Sequence, residues 1–264
     1  MEPPFPCPVS TWHNNTYPAI APQRDELSSA GKTVIITGAV SFVPNNKYPN
    51  AHLTGASIKG SGIGRETAIA FAAAGAEHIV LVGRKESTLS KTRAAVLSGT
   101  RQLRCTAFPA DVNDEKAMNQ IATDIGTWDV FILNAAYIAE PTTIASANIS
   151  QYWASYETNV KSVVVAAIAF LPTANKTHAT ILGVTAGALH FPPSVTPGLS
   201  SYLTSKLAMT KILEFLAVEN PSVFVASVHP GMIDTEIFRR SGATPDMLPM
   251  DSSKLFHDTL LDAC

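Results

Sequence analysis

The chain predicts an α/β domain whose core is a doubly wound parallel sheet with helices on both faces. Three observations predict it. From Lys32 onward, short β-branched runs alternate with helical patterns. The runs lack the polar alternation of a sheet with one wet face, so they belong between two helix layers. A length of 264 residues with 46% hydrophobic content allows one substantial core without a second domain.

In order, the strand runs are residues 32–37, 78–82, 104–109, 128–133, 179–184 and 222–228. Between them lie helical patterns at 62–74, 87–97, 114–124, 152–170 and 200–219. Such a sheet binds ligands beyond the carboxyl ends of its strands. Residues 1–30 are proline-rich and carry Trp12, Tyr17 and Ile20. They read as an extended arm anchored on the domain (31–264) by those side chains. After Gly231 only 33 residues follow. Residues 246–250 fit a helical loop region, and 257–264 have no strand pattern, so a last strand is expected to be missing, through a shifted frame or a missed splice.

Composition excludes several classes. A net charge of -2 without a long basic run leaves no electrostatic footprint for nucleic acid or an anionic membrane. Cys7, Cys105 and Cys264 are odd in number and far apart, so neither a disulfide framework nor a zinc site is expected. The proline-rich start does not read as a signal, and the longest apolar stretch, 163–171, is too short to span a bilayer. The expected setting is the cytoplasm, and the expected partner a small molecule.

The first strand ends in Thr37-Gly38-Ala39, and the first helix opens with Gly60-Ser61-Gly62-Ile63-Gly64. Glycines at a strand-to-helix turn let a pyrophosphate reach the helix N-terminus, where N–H groups and the dipole favour anions. Twenty residues, 40–59, interrupt that turn. Val40-Ser41 can be encoded by GTAAGT or GTGAGT, Lys59 by AAG, and Leu53-Thr54 by CTAAC or CTGAC, so the interruption reads as a translated intron. The alternative is a surface loop, whose closure would cost only about 2 kcal/mol. Joined across the interruption, T-G-A-G-S-G-I-G resembles the T-G-x3-G-x-G fingerprint of the short-chain dehydrogenase/reductase family. That resemblance implies a Rossmann-type domain and an NAD(P)-dependent oxidoreductase.

The remaining motifs are read within this resemblance. The second strand ends in Val82-Gly83-Arg84-Lys85, with no acid to accept from a ribose 2′-hydroxyl. Arg84 offers a planar cation for a 2′-phosphate, as in NADP-preferring members, so NADP(H) is the expected cofactor. Alternatively, Arg84 and Lys85 are solvated turn charges. Asp111 resembles the residue that contacts adenine, or else it caps the next helix. Asn134-Ala135-Ala136 resembles N-A-G with its glycine replaced, or is a plain strand-end turn.

Tyr202-Leu203-Thr204-Ser205-Lys206 resembles the family's Y-x3-K signature, whose i,i+4 spacing puts phenol and ammonium on one helical face. The resemblance implies that Tyr202 transfers the proton, that Lys206 favours the phenolate and holds the nicotinamide ribose, and that Asn159 holds a relay water. Alignment of Gly183-Val184-Thr185-Ala186-Gly187 with N-V-S-S-G puts Ala186 where the family has its catalytic serine. Thr185 is the substitute candidate, but it needs a bulge or register shift to point into the site; otherwise it is ordinary strand-end packing. Pro230, Gly231 and Thr235 resemble the family's P-G-x3-T segment at the nicotinamide end, and His229 reads as structural.

The arm resembles that of a filamentous-fungal subgroup, which implies small carbonyl or alcohol substrates, many from secondary metabolism. The apolar faces at 163–170 and 207–216 either pair subunits into a dimer or tetramer or belong to the core. A second reading of the whole chain, prompted by Ala186, the interrupted glycine loop and the short end, is a non-catalytic or impaired relative serving as scaffold or regulator.

Overall fold

A computed structural model describes residues 13, 15, 17–22, 24–39, 62–98, 103–247 and 249–252. The expectations for 40–59, Gly60, the Trp12 anchor and 257–264 lie outside the described residues. Six strands form one all-parallel sheet in the order β3-β2-β1-β4-β5-β6. They are β1 Thr33–Thr37, β2 His78–Gly83, β3 Arg104–Pro109, β4 Val130–Leu133, β5 Ala179–Val184 and β6 Val223–Val228. The order reverses between β1 and β4, which opens a crevice at their carboxyl ends.

The helices are α1 Ile63–Ala73, α2 Glu86–Leu97, α3 Glu115–Ile125, α4 Ile149–Tyr156, α5 Ser162–Phe170, α6 Ser200–Glu219 and α7 Glu236–Arg240. Successive β1 side chains point to opposite faces. Val34 and Ile36 therefore join the core beneath α1 and α2 with Ala68, Phe71 and Leu89, while Ile35 joins Val163, Phe170, Met209 and Leu213 on the other face. Residues 163–170 and 207–216 divide the same way. Val163, Ala166, Phe170, Met209 and Leu213 are buried, whereas Val164, Ile168, Leu207 and Phe215 face outward.

One helical expectation is refined and one is corrected. Residues 152–170 are helical throughout, as expected, but the helix is not uniformly α: a π-turn at Glu157–Lys161 joins α4 directly to α5. It carries Asn159, which is buried and bonded to the β4 loop. Residues 246–250 hold no helix among those described; the helix of this region is α7, which starts earlier because the Thr235 hydroxyl accepts from the amide of Phe238 at 3.2 Å. No helix among the described residues is long and apolar enough to cross a membrane. In the arm, Ile20 and Leu27 are buried, and the Ser29 amide donates to the Ala74 carbonyl at 2.8 Å.

The amino ends of the strands are tied by polar groups. Asp129 accepts from the Thr33 amide at 2.7 Å and from the Asn175 side chain at 2.7 Å, joining the starts of β1, β4 and β5. Buried His78 accepts at Nδ1 from Arg104 (2.6 Å), which leaves Nε2–H to donate to the Thr106 hydroxyl (2.9 Å). Burial, reinforced by the Arg104 charge, pushes its pKa down from 6.5 to about 4. The fold thus holds His78 neutral, and the associated stability is fully present above pH 6.5 and lost as pH falls through about 4. The loss amounts to at most about 3 kcal/mol. Urea unfolding between pH 7 and 4 is expected to show a shallower acid decline for His78→Gln than for the parent; parallel declines would remove His78 as the cause.

Candidate active site and cofactor cleft

The carboxyl ends of the strands open on a cleft of about 1070 Å³. Its wall includes Gly38 after β1, Gly62 and Ile63 at the start of α1, Arg84 after β2 and Asp111 after β3. Asn134 and Ala136 line it after β4, Thr185 and Ala186 after β5, Tyr202 and Lys206 on α6, and Pro230, Gly231 and Thr235 after β6. Residues from six strand ends converge because every strand runs the same way.

The β1 turn is built by close backbone approach. Gly38 has φ +66°, and a Cβ there would lie 2.8 Å from the Ala135 Cα. A Cβ on Gly64 would lie 2.6 Å from Asn134 Nδ2 and 2.8 Å from the Gly38 carbonyl, so only glycine lets α1 pack down on the turn. Thr37 and Gly64 are themselves buried behind the cleft rather than on its wall. The Thr37 hydroxyl accepts from the amides of Asn134 (3.1 Å) and Ala135 (3.2 Å), and Asn134 Nδ2 donates to the carbonyls of Thr37 and Gly38, both at 3.1 Å. These residues clamp the ends of β1 and β4 together. Gly62 is the N-cap of α1 and supplies no side-chain cap, so the helix start faces the cleft with backbone alone.

Arg84 is exposed at the cleft edge. Asp111 forms an Asx turn, accepting from the Asn113 amide at 2.9 Å, and the cap of α3 is Asp114, which accepts from Lys116 and Ala117. The capping alternative for Asp111 therefore falls away.

On α6, Lys206 is 1% exposed and donates to the Val184 carbonyl at 2.7 Å. Burial pushes its pKa down to about 8, and burial pushes the Tyr202 phenol up to about 12. Asn159 does not reach the cleft wall. Its Oδ1 accepts from the Tyr137 amide (2.8 Å), and its Nδ2 donates to the Tyr137 carbonyl and to the Ser205 hydroxyl, both at 2.9 Å. Ser205 in turn donates to the Tyr202 carbonyl at 2.7 Å. Asn159 thus ties the loop after β4 to the Tyr202 turn of α6. The Ser205 link, hidden from reading by motif, was signalled only by a small polar residue inside the Y-x3-K span.

Thr185 shows no bulge: its amide continues the ladder to the Val228 carbonyl at 2.8 Å, and its hydroxyl pairs with Thr210 on α6 at 3.2 Å. Ala186, in extended backbone, contributes no donor. His229 accepts at Nδ1 from the Gly187 amide at 3.0 Å, fastening the loop after β5 to the end of β6. Thr235 lines the cleft while capping α7.

Fold and cleft together define a Rossmann-type nucleotide-binding domain with a Tyr–Lys pair on α6. The chain belongs to the short chain dehydrogenase family, whose model matches residues 50–246. It is 29% identical over 265 residues to short chain dehydrogenase mpl6 of Monascus purpureus, covering 96% of this chain and 82% of that one. Among solved structures, an alcohol dehydrogenase from Thermococcus sibiricus complexed with 5-hydroxy-NADP superposes with TM-score 0.71 at 19% identity, covering 88% of this chain and 89% of that one. NAD+-bound xylitol dehydrogenase gives 0.64 at 21%, covering 80% and 74%. The two structural likenesses establish the fold.

Proposed function

We propose that the chain is an NADP(H)-dependent oxidoreductase acting on a small carbonyl or alcohol compound. The observation that carries this reading is the placement of Tyr202 and Lys206 on the wall of a single cleft that also reaches Arg84 and the backbone start of α1. When bound, the nicotinamide would supply the hydride in reduction and accept it in oxidation. Tyr202 gives its phenolic proton to the carbonyl oxygen in the reducing direction and takes it back in the oxidising one. The Lys206 ammonium steadies the phenolate that results, against the burial that disfavours it. Asn159 acts as a positioning residue, through Tyr137 and Ser205. Gly38, Gly62 and Ile63 would face the pyrophosphate, and Asp111 the adenosine end. Pro230, Gly231 and Thr235 would face the nicotinamide end. The outward apolar residues of α5 and α6 suit a contact between copies of the chain.

Cofactor choice rests on Arg84. Fluorescence titration is expected to show tighter binding of NADPH than NADH. Arg84→Ser should weaken NADPH about 10- to 100-fold, as loss of a charge-assisted hydrogen bond does, and barely change NADH. Equal affinity for both nucleotides, untouched by the substitution, would overturn the NADP assignment.

A further inference from the structure

Strand order gives the cleft two chemically different ends. β2 and β3 lie at one side of the sheet and bring Arg84, Lys85 and Asp111; β5, β6, α6 and α7 bring the other wall. Beside its polar groups that second wall carries an apolar cluster of Phe191, Val195, Leu203, Ile237, Phe238 and Met247. Two of these are largely exposed: Val195 62% and Met247 65%. Large apolar side chains exposed together inside a concavity mark a surface that a ligand covers. At about 1070 Å³ the cleft lies at the upper end of ordinary ligand-pocket volumes.

Charge completes the picture. Among the described lining residues the lysines and arginines are Arg84, Lys85 and Lys206. The first two lie at the opposite end, and Lys206 is bonded to the Val184 carbonyl. Burial against its neighbours holds the His229 imidazole below its ordinary value, which favours the neutral ring. Glu236, exposed in the first turn of α7, puts a carboxylate on the same wall as the apolar cluster.

We infer that the substrate is an uncharged, apolar carbonyl compound and that Glu236 turns carboxylate-bearing compounds away. The inference rests on the oxidoreductase reading and names its substrate class. The test compares 2-acetylnaphthalene with 6-acetyl-2-naphthoate, an otherwise similar skeleton carrying a negative charge, by calorimetric binding to the full chain with saturating NADP+ and by kcat/KM with NADPH. The neutral ketone is expected to bind at least about tenfold tighter at low salt. Glu236→Lys should narrow that gap about tenfold, and Phe191→Ala should weaken the neutral ketone about tenfold. Equal binding of both probes, binding of neither, or a gap indifferent to charge reversal would overturn the inference. Selective binding of the ketone without turnover of any carbonyl compound would instead overturn the oxidoreductase reading and leave the assignment of the pocket standing.

Discussion

Tyr202→Phe is expected to lower turnover by a factor of about 10²–10⁴, the contribution of a positioned proton donor, while NADPH binding stays within a few-fold of the parent. The phenyl ring keeps the packing of a half-buried side chain and removes only the proton. Tyr202 has the geometry but not the acidity for its task, since burial alone pushes its pKa up to about 12. In the proposed mechanism the Lys206 ammonium, i,i+4 on the same helix and itself pushed down to about 8, would offset that rise. Reduction should therefore slow as pH rises through about 8, where Lys206 loses the proton whose charge stabilises the phenolate. Stopped-flow oxidation of NADPH across pH 6–10 measures both effects. Undiminished turnover by the phenylalanine variant would remove Tyr202 from the chemistry.

Ala186→Ser should raise kcat by about 10²–10³, the usual worth of a single donor to a developing oxyanion. Ala186 lines the cleft at the end of β5 in extended backbone, where a serine hydroxyl would sit on the wall. The neighbouring Thr185 cannot serve, because its hydroxyl faces Thr210 and its amide holds the ladder to β6 in regular register. The substitution adds one oxygen at a partly exposed position, so little strain is expected. An unchanged kcat would show that another group already supplies the donor, or that chemistry does not limit the rate.

The strands were legible because their signal is local. Runs such as V-I-I and I-V-L-V are apolar on both faces, and only a sheet between helix layers buries such runs completely. The α6 range of 200–219 was legible to the residue, since Leu199 and Asn220 bound an uninterrupted helical stretch. The π-turn was not, because nothing local marks it; what coincides with it is an Asn159 side chain bonded to an amide 22 residues away. Thr37 and Gly64 belong to the glycine fingerprint, whose pattern does not distinguish residues on the cleft wall from those, like these two, that build the joint behind it.

Residue types and spacing by themselves determined the parallel sheet, the Tyr202–Lys206 pair and the absence of a hydroxyl at position 186, since periodicity, i,i+4 geometry and side-chain chemistry are carried by the chain alone. Tertiary structure decided what those groups face. It turned Thr185 onto α6, drew Asn159 into the loop after β4, gave the capping of α3 to Asp114, and set an apolar cluster with one carboxylate opposite the Arg84 end of the cleft. Each of these depends on contacts between distant segments, and burial and hydrogen bonding across such contacts exist only once the sheet order has brought the segments together.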